Sequence, residues 1–192
     1  MDLQPYLEEN RRKLVERWID AVITTYPPDS VGFFKNTRDK FANPVGSTIK
    51  RSIDLLFTEV IKEKMDMAAV QEAMDPIVRL RAVQEFSPSQ ALSFLFSIKP
   101  ILQKSLEKNL SDPAVDRFLR DVAVHTDELM LTAIDIYSKC RETVFLLRIN
   151  QAKESVKKLL IKNNLICEIP DALPAHKPEN GTCAPNMGRS KK

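Results

Sequence analysis

Glycine is scarce, four in 192 residues, and no run of alternating β-branched residues lasts beyond a few positions, which disfavours sheet-rich folds and glycine-cradled phosphate sites. There is no Gly-x-Ser-x-Gly elbow, no His-Glu-x-x-His pair and no Cys-x-x-Cys-His haem attachment, and histidine occurs twice in all. The chain therefore reads as a non-enzyme, with no catalytic residues, cofactor or metal ligands assigned. Three cysteines, Cys140, Cys167 and Cys183, are an odd number without short pairing and fit a reducing compartment better than a disulfide framework. The longest nearly apolar stretch, Ala91 to Ile98, falls far below the roughly 20 residues of a membrane span. Glu8, Glu9, Arg11, Arg12, Lys13, Glu16 and Arg17 occupy the region where a secretory signal needs an apolar segment, which predicts a cytoplasmic address. A net charge of +3 and 7% aromatic residues indicate neither a nucleic-acid-scale basic field nor a disordered composition.

What is present is helical periodicity. Apolar residues recur at three- and four-residue spacing up to about residue 165, which sets the expected domain at 1–165, followed by a flexible polar tail at 166–192 rich in proline, asparagine and glycine. Leu14, Trp18, Val22 and Tyr26 form one row of a first helix that Pro27-Pro28 ends, with Trp18 as its buried anchor. Residues 29–42, with Phe33, Phe34 and Phe41, read as a connector or short helix pinned by aromatics. Asn43-Pro44 is a cap followed by a first-turn proline, opening a second helix. A third helix runs over about 67–85, with a kink or break expected at Asp75-Pro76. Ser87-Pro88-Ser89-Gln90 is a capping box that starts a fourth helix, which Pro100 should bend halfway. Asp112-Pro113 starts a last helix with no strong breaker until Pro170. Fifty helical residues would measure roughly 75 Å, so this helix must break, project or pair with another chain.

On the last helix, Leu129, Ala133, Ile136, Cys140, Val144 and Leu147 nearly follow a coiled-coil seam, and the alternatives are intramolecular packing and a homodimer. Between residues 139 and 162 seven cations face two anions, a local balance of +5. This charge reads first as a solubilising helix end favoured by the macrodipole, and Arg148, Lys153, Lys157 and Lys158 are the candidate face should an acidic protein partner bind there; without a recognition helix or stacking aromatics, nucleic acid is disfavoured. Asp127, Glu128 and Asp135 read as a solvated face.

The run Arg79-Leu80-Arg81-Ala82-Val83-Gln84-Glu85-Phe86-Ser87-Pro88-Ser89-Gln90-Ala91 resembles the helix-turn-helix core of the RsbRD amino-terminal domain family. Trp18 with the Tyr26-Pro27 helix end, and Tyr137, Cys140, Arg141 and Glu142, resemble the first and last core helices of that family; the likeness covers roughly residues 5 to 155. The resemblance implies an all-α, globin-like bundle of about five or six helices with a long C-terminal helix, which lacks haem, dimerises and serves as the sensing end of RsbT co-antagonist proteins. In those proteins a STAS domain follows; here a short helical extension and a polar tail predict a stand-alone module. Together with the length of the last helix, the resemblance favours the homodimer.

The expected function is a non-enzymatic homodimeric sensor or adaptor that signals through a regulatory protein partner. Trp18, Phe86, Leu95, Phe96 and Tyr137 are the expected core or pocket. A carrier of an apolar small ligand in the same interior is one alternative, and a haem or redox protein a second. For haem, the candidate ligand in the helical region is His125, but its neighbours Asp121, Glu128 and Leu129 are mixed and a single helix follows it, so it reads as a structural or surface residue. Cys167, His176 and Cys183 lack the four-donor, closely paired pattern of a zinc site.

Overall fold

The computed structural model describes residues 3–36 and 42–163. Helices α1 (Leu3–Ile23), α2 (Pro28–Asn36), α3 (Pro44–Val60), α4 (Met67–Val83), α5 (Pro88–Leu92), α6 (Ile98–Ser105) and α7 (Pro113–Lys162) follow one another. A 3-10 segment, Ser93–Ser97, joins α5 to α6, and no strand occurs among the described residues. The fold is an all-α bundle. The chain divides into two compact units, residues 1–148 and the residues from Ile149 onward. The polar tail and the residues Phe41, Cys167, His176 and Cys183 lie outside the described residues.

Local chemistry sets the helix starts. The Asn43 carboxamide accepts from the Gly46 amide at 2.8 Å and its Nδ2 donates to the Phe34 carbonyl at 3.0 Å, so one side chain caps α3 and ties it to α2. A Cβ on Gly46 would collide with the Asn43 carboxamide, so a larger residue there would displace the cap. Asn43→Ala should cost about 2 kcal/mol, combining a lost cap with an unsatisfied carbonyl. A thermal melt should then drop by roughly 4–8 °C, and an unchanged midpoint would show that the cap carries no load. Both arms of the Ser87–Gln90 capping box form, and Asp112 accepts from the Ala114 amide at 2.9 Å where α7 begins.

The first unit is organised around Trp18, whose ring is fully buried and whose Nε1 donates to the Phe94 carbonyl at 2.8 Å. The same core holds Leu14 and Val22 of α1, Ile49, Ile53 and Phe57 of α3, Met74, Ile77 and Val78 of α4, and Leu129, Ala133 and Tyr137 of α7. Each fully buried aliphatic contributes about 1.5–3 kcal/mol relative to exposure.

Three expectations are corrected. Of the kink or break expected at Pro76, the break does not occur: α4 is continuous from Met67 to Val83. Pro100 does not bend a long fourth helix but sits in the first turn of α6, where a missing amide costs nothing; the interruption falls at the 3-10 segment before it. Phe96, expected in the core, is 47% exposed. The tighter 3-10 winding turns residue 96 outward while Phe94 and Leu95 stay buried.

Candidate functional site

Charged side chains seldom occupy a core, yet Arg81 stands on the buried face of α4, one turn beyond Ile77 and Val78, with no exposed surface. Its guanidinium carbon lies 4.4 Å from the ring centre of Phe86, 5.1 Å from that of Tyr26 and 5.6 Å from that of Phe94. Nε donates to the Ala91 carbonyl at 2.9 Å, and Nη2 to the Gln90 carbonyl at 2.7 Å and Thr25 Oγ1 at 2.8 Å. Nη1 is buried without a hydrogen-bond partner. Burial draws Arg81 below the ordinary guanidinium value, with Tyr26 opposing, and pushes the Tyr26 hydroxyl up, with Arg81 opposing.

Beside this cation opens a cleft of about 630 Å³ lined by Tyr26, Pro27, Phe34, Gln84, Phe86 and Gln90, together with Thr25, Ser30 and Glu85. The Tyr26 ring meets Phe34 at 5.1 Å and Phe86 at 5.2 Å, both edge-on, and its hydroxyl donates to Gln84 Oε1 at 3.1 Å. A second cleft, about 750 Å³ between α1 and α3, is lined by charges that neutralise one another, with Arg11–Asp54 at 2.7 Å and Arg12–Glu16 at 3.0 Å.

Helix α7 clasps the end of α4, where the last carbonyls have no intrahelical partners. Tyr137 Oη donates to the Phe86 carbonyl at 2.6 Å, Arg141 Nη1 to the Ala82 carbonyl at 3.3 Å, and the buried Cys140 thiol points to the Arg79 carbonyl at 4.0 Å. Glu85 follows in the left-handed region with φ 64°, and its carboxylate pairs with Arg148, which holds it below the usual carboxylate range. The segment 79–91 and Tyr137, Cys140 and Arg141, far apart in sequence, are therefore one assembly; Glu142 stays exposed.

Of the expected core or pocket residues, Trp18, Leu95 and Tyr137 are buried and Phe86 is half-buried against them. The expected dimer row is corrected. Leu129, Ala133, Ile136 and Cys140 are buried in the core of their own unit, Val144 is half-buried, and Leu147 is exposed. The first four cannot face a second chain, because one stripe of a helix packs only once. Outward instead stand Val124, Leu131, Ile134 and Phe145. Of the basic face, Arg148 is engaged by Glu85, while Lys153, Lys157 and Lys158 are exposed. His125 is buried, its Nδ1 3.0 Å from the Val60 carbonyl, to which it donates.

In the second unit no residue from 149 to 163 is buried. Ile149, Ala152, Val156 and Leu160 make an apolar groove flanked by Lys153 and Lys157. No helix among the described residues is long and apolar enough to cross a membrane.

Arg81 was not singled out by sequence reasoning. A signal existed, since an arginine four residues after Ile77 and seven after Met74 falls on the apolar stripe of α4.

Compared with known proteins, residues 12–152 match the family described as RsbT co-antagonist protein rsbRD N-terminal domain. An uncharacterized protein of Archaeoglobus fulgidus is 24% identical over 156 residues, covering 78% of this chain and 89% of its own. No solved structure matches the chain.

Proposed function

The chain belongs to the RsbT co-antagonist protein rsbRD N-terminal domain family, and on that footing we propose a non-enzymatic, homodimeric sensor or adaptor that signals by protein–protein interaction in a stress or regulatory pathway. The observation that carries this reading is the outward apolar surface of α7. Val156 and Leu159 are 53% and 60% exposed, on a helix segment with no buried residue. Ile149 and Val156 take the first position of a seven-residue repeat and Ala152 and Leu159 the fourth, and a β-branched residue at the first with leucine at the fourth, as at Val156 and Leu159, favours two-stranded pairing. The occupant of this face is a second copy of the chain, and Lys153, Lys157 and Lys158 are left at its margin for an acidic regulatory protein. A cytoplasmic address fits the unpaired Cys140 thiol.

Light scattering on the full chain should give twice the 21.9 kDa of one copy. Val156→Asp places a charge on the face without touching the core, and should weaken association by about tenfold or more. A parent protein of single-copy mass at every concentration would remove the homodimer. A dimer that Val156→Asp leaves intact would move the seam elsewhere.

A further inference from the structure

We infer that the cleft beside Arg81 receives a small organic monocarboxylate, its anionic end on the Nη1 amino group of Arg81 and its apolar body among Tyr26, Phe34 and Phe86. This deepens the sensor reading by naming the chemical class of the stimulus, and rests on that reading for its purpose alone.

A guanidinium carries five N–H groups and stays charged in proteins. Here three are used, on Ala91 O, Gln90 O and Thr25 Oγ1, and Nη1 is buried without an acceptor at hydrogen-bonding geometry, the Tyr26 hydroxyl standing near enough to favour the charge but bringing no negative charge of its own. A buried charge normally has a counter-charge, yet among the described residues no carboxylate pairs with Arg81. Ring faces soften that deficit but bring no full negative charge.

The surroundings choose the ligand. Thr25, Tyr26, Phe86 and Gln90 touch the guanidinium and also line the cleft, so the cation lies directly behind the cleft wall. The volume, about 630 Å³, falls within the usual range for small-molecule sites. Aromatic and proline walls suit an apolar body. One buried cation suits one negative charge. Contact with Nη1 requires the Tyr26 and Phe86 rings to part, which couples occupancy to the turn that α7 grips through Tyr137.

The test titrates the 15N-labelled full chain with benzoate and with hexanoate, following the Arg81 Nε–Hε resonance and the thermal midpoint. Benzyl alcohol, hexanol and inorganic phosphate are the controls. Saturable movement with at least one acid, absent with the controls, is expected. Arg81→Met should weaken binding by about tenfold or more, the worth of a charge-assisted contact. Ser30→Trp, which fills the cleft and leaves the Arg81 contacts in place, should do the same if Arg81→Met fails to fold. No saturable response to either acid, an equal response to the alcohols, a response to phosphate alone, or undiminished binding in folded Arg81→Met overturns the proposal. Mass measured on the same samples separates the two readings: a single-copy chain that binds acid sinks the dimer alone, and a dimer that ignores acid sinks this inference alone.

Discussion

Trp18→Ala should lower the free energy of unfolding by about 4–5 kcal/mol, the largest single loss expected in this chain. Truncating a buried indole costs about 3–5 kcal/mol in lost transfer energy and cavity, and the Phe94 carbonyl then loses its donor in a place water reaches poorly. Against a usual total of about 5–15 kcal/mol, that leaves little margin. Trp18→Phe keeps most of the volume and should lose about half as much. Urea unfolding followed by far-ultraviolet circular dichroism is the measurement, since the variants lack the single tryptophan of the chain. A loss below about 2 kcal/mol would mean the core is not organised around this ring.

Arg81 should show a contrast between two substitutions. Arg81→Ala leaves the carbonyls of Ala91 and Gln90 without their donor and opens a void among three aromatic rings, for an expected cost of about 4 kcal/mol. Arg81→Met also strands those carbonyls but fills the volume and removes the desolvated charge, so its cost should be near 1–2 kcal/mol. The difference decides which effect dominates. Equal losses would mean that the hydrogen bonds outweigh both packing and charge relief. Denaturant titration of the two proteins side by side reads it.

The helix starts were legible in the sequence because caps are local: Asn43-Pro44, Ser87-Pro88-Ser89-Gln90 and Asp112-Pro113 each lie where a helix begins. So was the 50-residue length of α7, which needs only an absence of breakers. The split of the fourth helix was not. It involves a 3-10 segment whose Phe94 carbonyl is held by Trp18, 76 residues away, a contact no window around Pro100 contains. Phe96 was misplaced for the same reason, because a 3.6-residue period was applied where the winding is tighter. The row from Leu129 to Cys140 shows a further limit. Periodicity marks a face for burial without saying whether the cover is the same chain or another. Arg81 escaped notice because charged residues are ordinarily assigned to solvent, and its burial depends on three aromatics supplied by the turn after α1, the 84–87 turn and the 3-10 segment.

The left-handed residue Glu85 also bears on the order in which the molecule assembles. It lets the backbone reverse at once after α4, so the Arg81 side chain meets the Ala91 carbonyl only ten positions downstream. Closing a loop that short takes about 10–100 ns and little entropy, whereas bringing Trp18 to Phe94 must close a far longer one. The α4–α5 hairpin is thus favoured as an early nucleus, on which α1 and α7 dock later, so that Arg81 and the Phe86 side of the cleft are drafted before Tyr26 and Phe34 complete it.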